Sequence, residues 1–213
     1  MTTTDWLRIA STQFTGFGAK TAMYRGNGAR KLAVVVPGGG YTCDMPLLYY
    51  LTNHAADAGY DVVNVAYDED TAHPIDKVAL ANDLATLLRE GLASGGYDEV
   101  IVVCKSLGCR IFSTLLSTEP AVAAGVQKVV LITADYSDAT ITAIPSTFPH
   151  VLHIVGSLDK TKPPRRGLDK GATLQVLNLT KSDHGLDVPG DTYGSIENVK
   201  SVVKAFSTFV GIQ

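Results

Sequence analysis

The feature that most constrains this chain is Val100-Ile101-Val102-Val103-Cys104-Lys105-Ser106-Leu107-Gly108, an apolar run that leads into a serine framed by Cys104 and Gly108. An uninterrupted β-branched run has no polar face, so it reads as a strand buried on both sides, the kind found in parallel sheets. Leu107, Ile111 and Leu115 then follow at helical spacing. Ser106 therefore falls on a sharp turn from strand to helix. At such a turn small neighbours avoid collisions, and the hydroxyl is pushed out at the carboxyl edge of the sheet.

Other strands end in equally suggestive loops. Lys31 to Val36 reads as a buried strand and is followed at once by Pro37-Gly38-Gly39-Gly40-Tyr41. Consecutive glycines let the backbone approach a ligand and present N–H groups to it, although a plain turn needing positive φ would use the same residues. Lys128 to Ala134 reads as a strand ending at Asp135, and His150 to Val155 as one followed by Gly156-Ser157-Leu158-Asp159. Aspartates in such turns also serve as caps. Five histidines are present. His54 falls in a helical pattern, His73 precedes Pro74, and His150 and His153 bracket a strand. The last two are three residues apart, which puts them on opposite faces and prevents them from sharing a metal. Only His184 lies in a polar loop, Thr180-Lys181-Ser182-Asp183-His184-Gly185, between the last strand and the last helix.

In these residues and their order the chain resembles the α/β-hydrolase superfamily, in which the serine of a G-x-S-x-G turn is followed along the chain by the acid and then the histidine. Cys104 stands where that motif has its first glycine, and Pro37 stands where the His-Gly-Gly-Gly loop of lipases and esterases has histidine. The resemblance implies an α/β-hydrolase fold: a mostly parallel central sheet with an antiparallel N-terminal hairpin, helices on both faces and no lid domain. It also implies a serine hydrolase cleaving a small acyl ester without a cofactor. Ser106 would be the nucleophile, Asp159 the acid and His184 the base, with the N–H groups of Gly39, Gly40 and Leu107 facing the oxyanion. Asp135 competes for the acid role, because some members of the superfamily take the acid from the earlier strand. The same residues would serve a thioesterase or an amide hydrolase, and a ligand-binding protein that kept the fold without turnover is the alternative of a different class.

The segments outside the motifs predict the remaining architecture. Trp6 to Phe14, a Gly16-Phe17-Gly18 turn, Lys20 to Arg25 and an Asn27-Gly28 turn into Lys31 to Val36 suggest an antiparallel start. Strands and helices then alternate, which predicts a parallel sheet. The expected elements are a helix capped by Asp44, a strand from Asp61 to Ala66 and a helix opened by Pro74. A last strand from Thr173 to Leu179 precedes a final helix from Ser195 to Val210, whose stripe is Ile196, Val199, Val203, Phe206 and Val210. At 213 residues, one domain spanning 1–213 with a single sizeable core is expected.

Composition narrows the partners. A mean hydropathy of +0.13 with 18% charged residues suits a sheet covered on both faces. The net charge is −3, and the one basic cluster, between Lys160 and Arg166, reads as a solvated loop, so neither nucleic acid nor an anionic membrane is expected as a partner. No run reaches the length of a membrane span, and the first residues lack the basic flank and apolar core of a secretory signal. Cys43, Cys104 and Cys109 are odd in number and lack metal-ligand spacing, which suggests small apolar packing in a reducing cytoplasm. The chain is therefore expected to be cytoplasmic and to act on a small-molecule ester. Gly18-Ala19-Lys20-Thr21 imitates the end of a P-loop, but Gln13 stands where its first glycine belongs. No G-x-G-x-x-G follows a strand and no zinc-ligand spacing occurs, so no cofactor or metal is expected.

Overall fold

The computed structural model describes residues 6–8, 14–18, 20–24, 28–67, 75–93, 96–161 and 174–211. Its elements run β1 (Trp6–Arg8), β2 (Ala22–Tyr24), β3 (Lys31–Val36), α1 (Pro46–Asp57), β4 (Tyr60–Asn64), α2 (Lys77–Ala93) and β5 (Glu99–Lys105). They continue with α3 (Leu107–Thr118), α4 (Pro120–Ala123), β6 (Lys128–Ile132), α5 (Ala139–Thr147), β7 (His150–Gly156), β8 (Leu174–Leu179) and α6 (Thr192–Val210). Among the described residues the strands form one eight-stranded sheet in the order β1-β2-β4-β3-β5-β6-β7-β8. From β4 to β8 all neighbours are parallel, while β1 with β2 and β2 with β4 are antiparallel.

The continuous apolar runs become two-faced strands because successive side chains point to opposite sides of the sheet. On one side Leu32, Val34, Val36, Val100, Val102, Val129 and Leu131 pack with α2, α3 and α5. On the other, Ala33, Val35, Ile101, Val103, Val130 and Ile132 pack with α1 and α6. The chain leaves β3 through α1 to reach β4 on one flank and crosses through α2 to β5 on the other. The carboxyl ends of β3 and β5 thus border the switch point at which open α/β sheets bind ligands. β6 and β7 are joined by the nine-residue helix α5, so no cap is inserted there. Among the described residues no helix is long and apolar enough to cross a membrane.

Three local expectations are corrected. The N-terminal hairpin forms between β1 and β2, but β2 pairs with β4 rather than turning back onto β3. β3 is buried on both faces and takes the central place between two parallel partners, whereas the half-buried β2 suits the outer position. Gly28 does adopt a positive φ of 67°, while Asn27 lies outside the described residues. Helix α1 is not capped by Asp44: Met45 is the cap residue and Pro46, with φ already set for a helix, occupies the first turn. The free N–H of Leu47 is satisfied by the Tyr41 hydroxyl at 3.3 Å. In α6 the buried side chains are Val202, Phe206, Phe209 and Val210, whereas Ile196 is exposed. The helix meets the core from Val199 onward, and a sequence period cannot show where along a helix its neighbour begins. The expected helix start at Pro74 lies outside the described residues, and α2 begins at Lys77 with the Asp76 carboxylate accepting from the N–H groups of Val78 and Ala79.

Candidate active site

Ser106 sits between β5 and α3 with φ 48° and ψ −104°, a left-handed conformation that costs a non-glycine residue energy and persists only where its surroundings hold it. Its N–H donates to the Ile132 carbonyl at 2.9 Å, and its own carbonyl accepts from Cys109 at 3.0 Å. Gly108 is required here by contact: a Cβ on it would lie 2.1 Å from the Val36 carbonyl oxygen and 2.8 Å from that of Pro37. Only glycine lets α3 start against the end of β3. Cys104, at the position of the motif's first glycine, is fully buried within the apolar layer.

The histidine arrives on the loop after β8. His184 Nε2 lies 2.9 Å from Ser106 Oγ, and His184 Nδ1 lies 2.9 Å from Asp159 Oδ2. The other Asp159 oxygen accepts from the N–H and hydroxyl of Thr161, both at 2.9 Å. The Asp159 side chain is 2% exposed and the His184 side chain 47%, so the carboxylate is sealed while the imidazole reaches solvent. A second close approach makes this possible. A Cβ on Gly156 would lie 2.4 Å from the carbonyl oxygens of both Ser182 and Asp183, so the bare glycine lets the histidine loop reach the end of β7. Leu158 N–H donates to the Ser182 carbonyl at 2.8 Å, stitching the two loops together.

Several supports of this loop were missed in the sequence. Asp183 accepts from Gly185 N–H at 2.8 Å and Asp187 N–H at 3.1 Å, folding the loop around its own carboxylate. The Asp-x-Gly spacing was a readable signal for that turn. Asn198 of α6 donates to Ser182 Oγ at 2.7 Å and to the Leu186 carbonyl at 2.8 Å, and nothing in a helical pattern marks it out. Lys105 is buried as well, and a cation closing an otherwise apolar strand was the signal for it.

In the glycine loop, Gly38 N–H donates to the Tyr41 carbonyl at 3.1 Å and closes a tight turn whose Gly40 has φ 70°. Gly38 and Gly39 lie against the Ser106 turn: a Cβ on the first would be 3.5 Å from Ser106 Cβ, and one on the second 3.6 Å from Leu107 Cδ2. A Cβ on Gly40 would meet nothing within 4 Å. Of the two glycines expected to face the oxyanion, Gly39 lies against the Leu107 side chain and Gly40 forms the turn. Among the described residues the N–H groups of Gly39, Gly40 and Leu107 donate to no protein acceptor.

No protein-family model and no curated protein matches this sequence. Solved structures do match. A candidate α/β hydrolase of unknown function from Agrobacterium tumefaciens aligns with a TM-score of 0.68 at 15% identity, over 93% of this chain and 95% of its own. A serine hydrolase without a lid from Xanthomonas campestris gives 0.65 at 14% identity, over 90% and 87% of the two chains. Dienelactone hydrolase from Anabaena variabilis gives 0.63 at 19% identity, over 90% of each. The chain has the α/β-hydrolase fold.

Within that α/β-hydrolase fold the other titratable side chains near the strand ends have different partners. Asp135, the rival acid, pairs with the Arg110 guanidinium and accepts from Ser137 N–H at 3.1 Å and Ser137 Oγ at 2.7 Å. The Ser137 hydroxyl and Arg110 hold its carboxyl down at about 2. His153 is fully buried with the Tyr136 hydroxyl on its ring, and burial pushes its pKa down to about 4, so it is neutral near pH 7. His54 Nε2 contacts Ser207 Oγ at 2.6 Å on the α1–α6 side. All three cysteines are free and buried. Burial pushes the Cys109 thiol up to about 12 and the Cys104 thiol well above its ordinary value, so neither beside Ser106 is a thiolate at neutral pH. Among the described residues no three His, Cys, Asp or Glu side chains gather as metal ligands would.

Proposed function

We propose that this chain is a serine hydrolase of small acyl esters, with Ser106 as nucleophile, His184 as base and Asp159 as the acid that orients it. The observation that carries this reading is the unbroken pair of 2.9 Å contacts from Ser106 Oγ through the imidazole to a sealed carboxylate. A hydroxyl is a weak nucleophile until a base takes its proton, and an imidazole is a dependable base only when its other nitrogen is held. The hydrolases named above, one of them acting on a dienelactone, a cyclic ester, and another on an unstated substrate through serine, point the same way.

Each step follows from placement. His184 Nε2 takes the Ser106 proton as Oγ adds to the ester carbonyl, and Asp159 stabilises the imidazolium. The N–H groups of Gly39 and Leu107 receive the negative oxygen, and fixed dipoles aimed at developing charge are worth more than water there. The imidazolium gives its proton to the departing alkoxide, which leaves as an alcohol. Water, deprotonated by His184, then releases the acid and restores Ser106.

A fluorophosphonate probe read by intact mass tests this directly. One adduct is expected, mapped to Ser106, and it should be absent from Ser106→Ala. That variant should lose about 10⁶-fold in turnover of an activated acetyl ester, as when a serine protease loses its nucleophile. Its melting temperature should barely move, since the hydroxyl lies at the site's open face. Matching thioesters and amides in the same assay separate ester from thioester and amide cleavage. A wild-type protein that neither labels nor turns over any of them would be a binding protein with this fold, and the proposal would fall.

A further inference from the structure

Lys105 stands one residue before Ser106 and is 1% exposed. Burying an ammonium is costly unless its hydrogen bonds are restored, so such a group marks a place where something other than packing is served. Its Nζ lies 3.0 Å from Thr133 Oγ1, 3.0 Å from the His184 carbonyl oxygen and 4.6 Å from the centre of the Tyr41 ring. Those three contacts belong to three separate segments: the end of β6, the histidine loop and the glycine loop. Thr133 itself has φ 47°, a left-handed turn unusual for a β-branched residue. Burial pulls its pKa down to about 8, against the opposing charges of Asp159, Asp183 and Asp187, so it is largely charged at neutral pH.

We propose that Lys105 is a positioning residue: its ammonium holds the backbone of His184, and through it the imidazole, in line between Asp159 and Ser106. The inference rests on the serine-hydrolase reading and adds a fourth side chain to it, one that touches no substrate. The histidine loop is long and polar, and its attachments at Ser182 and Leu186 lie on either side of His184 rather than at it. The bond from Lys105 is made at the histidine itself. A loop shifted by about 1 Å can cost a reaction 10²-fold without changing what binds.

Positioning and plain structural support separate in Lys105→Met, which keeps the length and removes the charge. The methionine fills the same space but leaves the Thr133 hydroxyl and the His184 carbonyl without their donor, so part of the stability should be lost. The melting temperature should therefore fall, while well below it kcat on an activated ester is down about 100-fold and KM changes less than threefold. A second readout does not depend on turnover. The His184 Nδ1 proton, held by Asp159, should give a far-downfield proton NMR resonance that is absent from His184→Gln. In Lys105→Met that resonance should weaken or vanish while the remaining spectrum stays dispersed. Thr133→Val keeps the β-branched shape and removes one anchor of the ammonium, so it should move kcat and the resonance the same way by a smaller amount. If Lys105→Met fails to fold, Thr133→Val decides. A folded variant with wild-type kcat and an unchanged resonance would overturn the positioning role. Should no ester be cleaved by the wild type, the hydrolase reading falls alone and the resonance still judges Lys105.

Discussion

At the end of β6, Asp135 faces Arg110 and Ser137 with its side chain 20% exposed; at the end of β7, Asp159 faces His184 with its side chain 2% exposed. Both follow an apolar parallel strand and both begin a polar turn, so their local surroundings in the sequence are nearly the same. What differs is what comes back to meet them. Helix α3 brings a guanidinium to Asp135, whose carboxylate is taken up by Arg110 and Ser137. At β7 the bare Gly156 admits the carbonyl groups of residues 182 and 183, and His184 arrives with them. Strand position makes an aspartate available, and the returning loop selects it.

The sharpest way to break this contrast is to exchange each carboxylate for an amide. Asp159→Asn should lower kcat on an activated ester by about 10⁴-fold, the loss seen when the buried aspartate of a serine protease becomes an amide and holds the wrong tautomer. Asp135→Asn should change it less than about threefold, since surface pairs of this kind act on local stability. The reverse ranking in steady-state assays would assign the acid to β6.

The end of β6 is tied to the middle of β7 by Tyr136, which follows Asp135, and His153, and this joint should respond to acid. His153 is neutral in the fold, with its pKa lowered to about 4 by burial. Unfolded, it would bind a proton near pH 6.5, so its contribution to stability is complete above about 6.5 and is lost as the pH falls toward 4. The loss should reach about 3 kcal/mol across that window. Urea unfolding at pH 7 and pH 4.5 measures it, with His153→Gln as the non-titrating control. Equal losses in the two proteins would show that the ring does not resist protonation.

The smallest expected effect concerns the Arg110–Asp135 pair itself. Asp135→Asn should cost roughly 0.5–1 kcal/mol at pH 7, within the range of partly exposed ion pairs. The Asp135 carboxyl is held down at about 2, so its contribution is present above about pH 4 and disappears as the pH drops toward 2. Wild type and variant should therefore converge in stability at pH 2, and a difference that persists there would point to packing rather than charge.

Much of the fold was legible because its signals are local. Residues 31–36, 99–105, 128–132 and 150–156 are strands wherever they are placed, since uninterrupted apolar runs suit only a sheet covered on both faces. The turn at Ser106 was legible for the same reason, as strand and helix periods meet there. The pairing of β2 with β4 and the exposed Ile196 were not, because each depends on a neighbour distant in the chain. Lys105 is the clearest case: its partners are 28 and 79 residues away.

By itself, then, the sequence determined the strands, their alternation with helices and the chain order of Ser106, Asp159 and His184, because side-chain periodicity and order along a chain are properties of neighbouring residues. Only the tertiary structure decided which aspartate meets the histidine, which glycines lie against the Ser106 turn and what a buried lysine holds. Those outcomes turn on contacts of about 3 Å between loops that the sheet brings together, and no local pattern encodes such a distance.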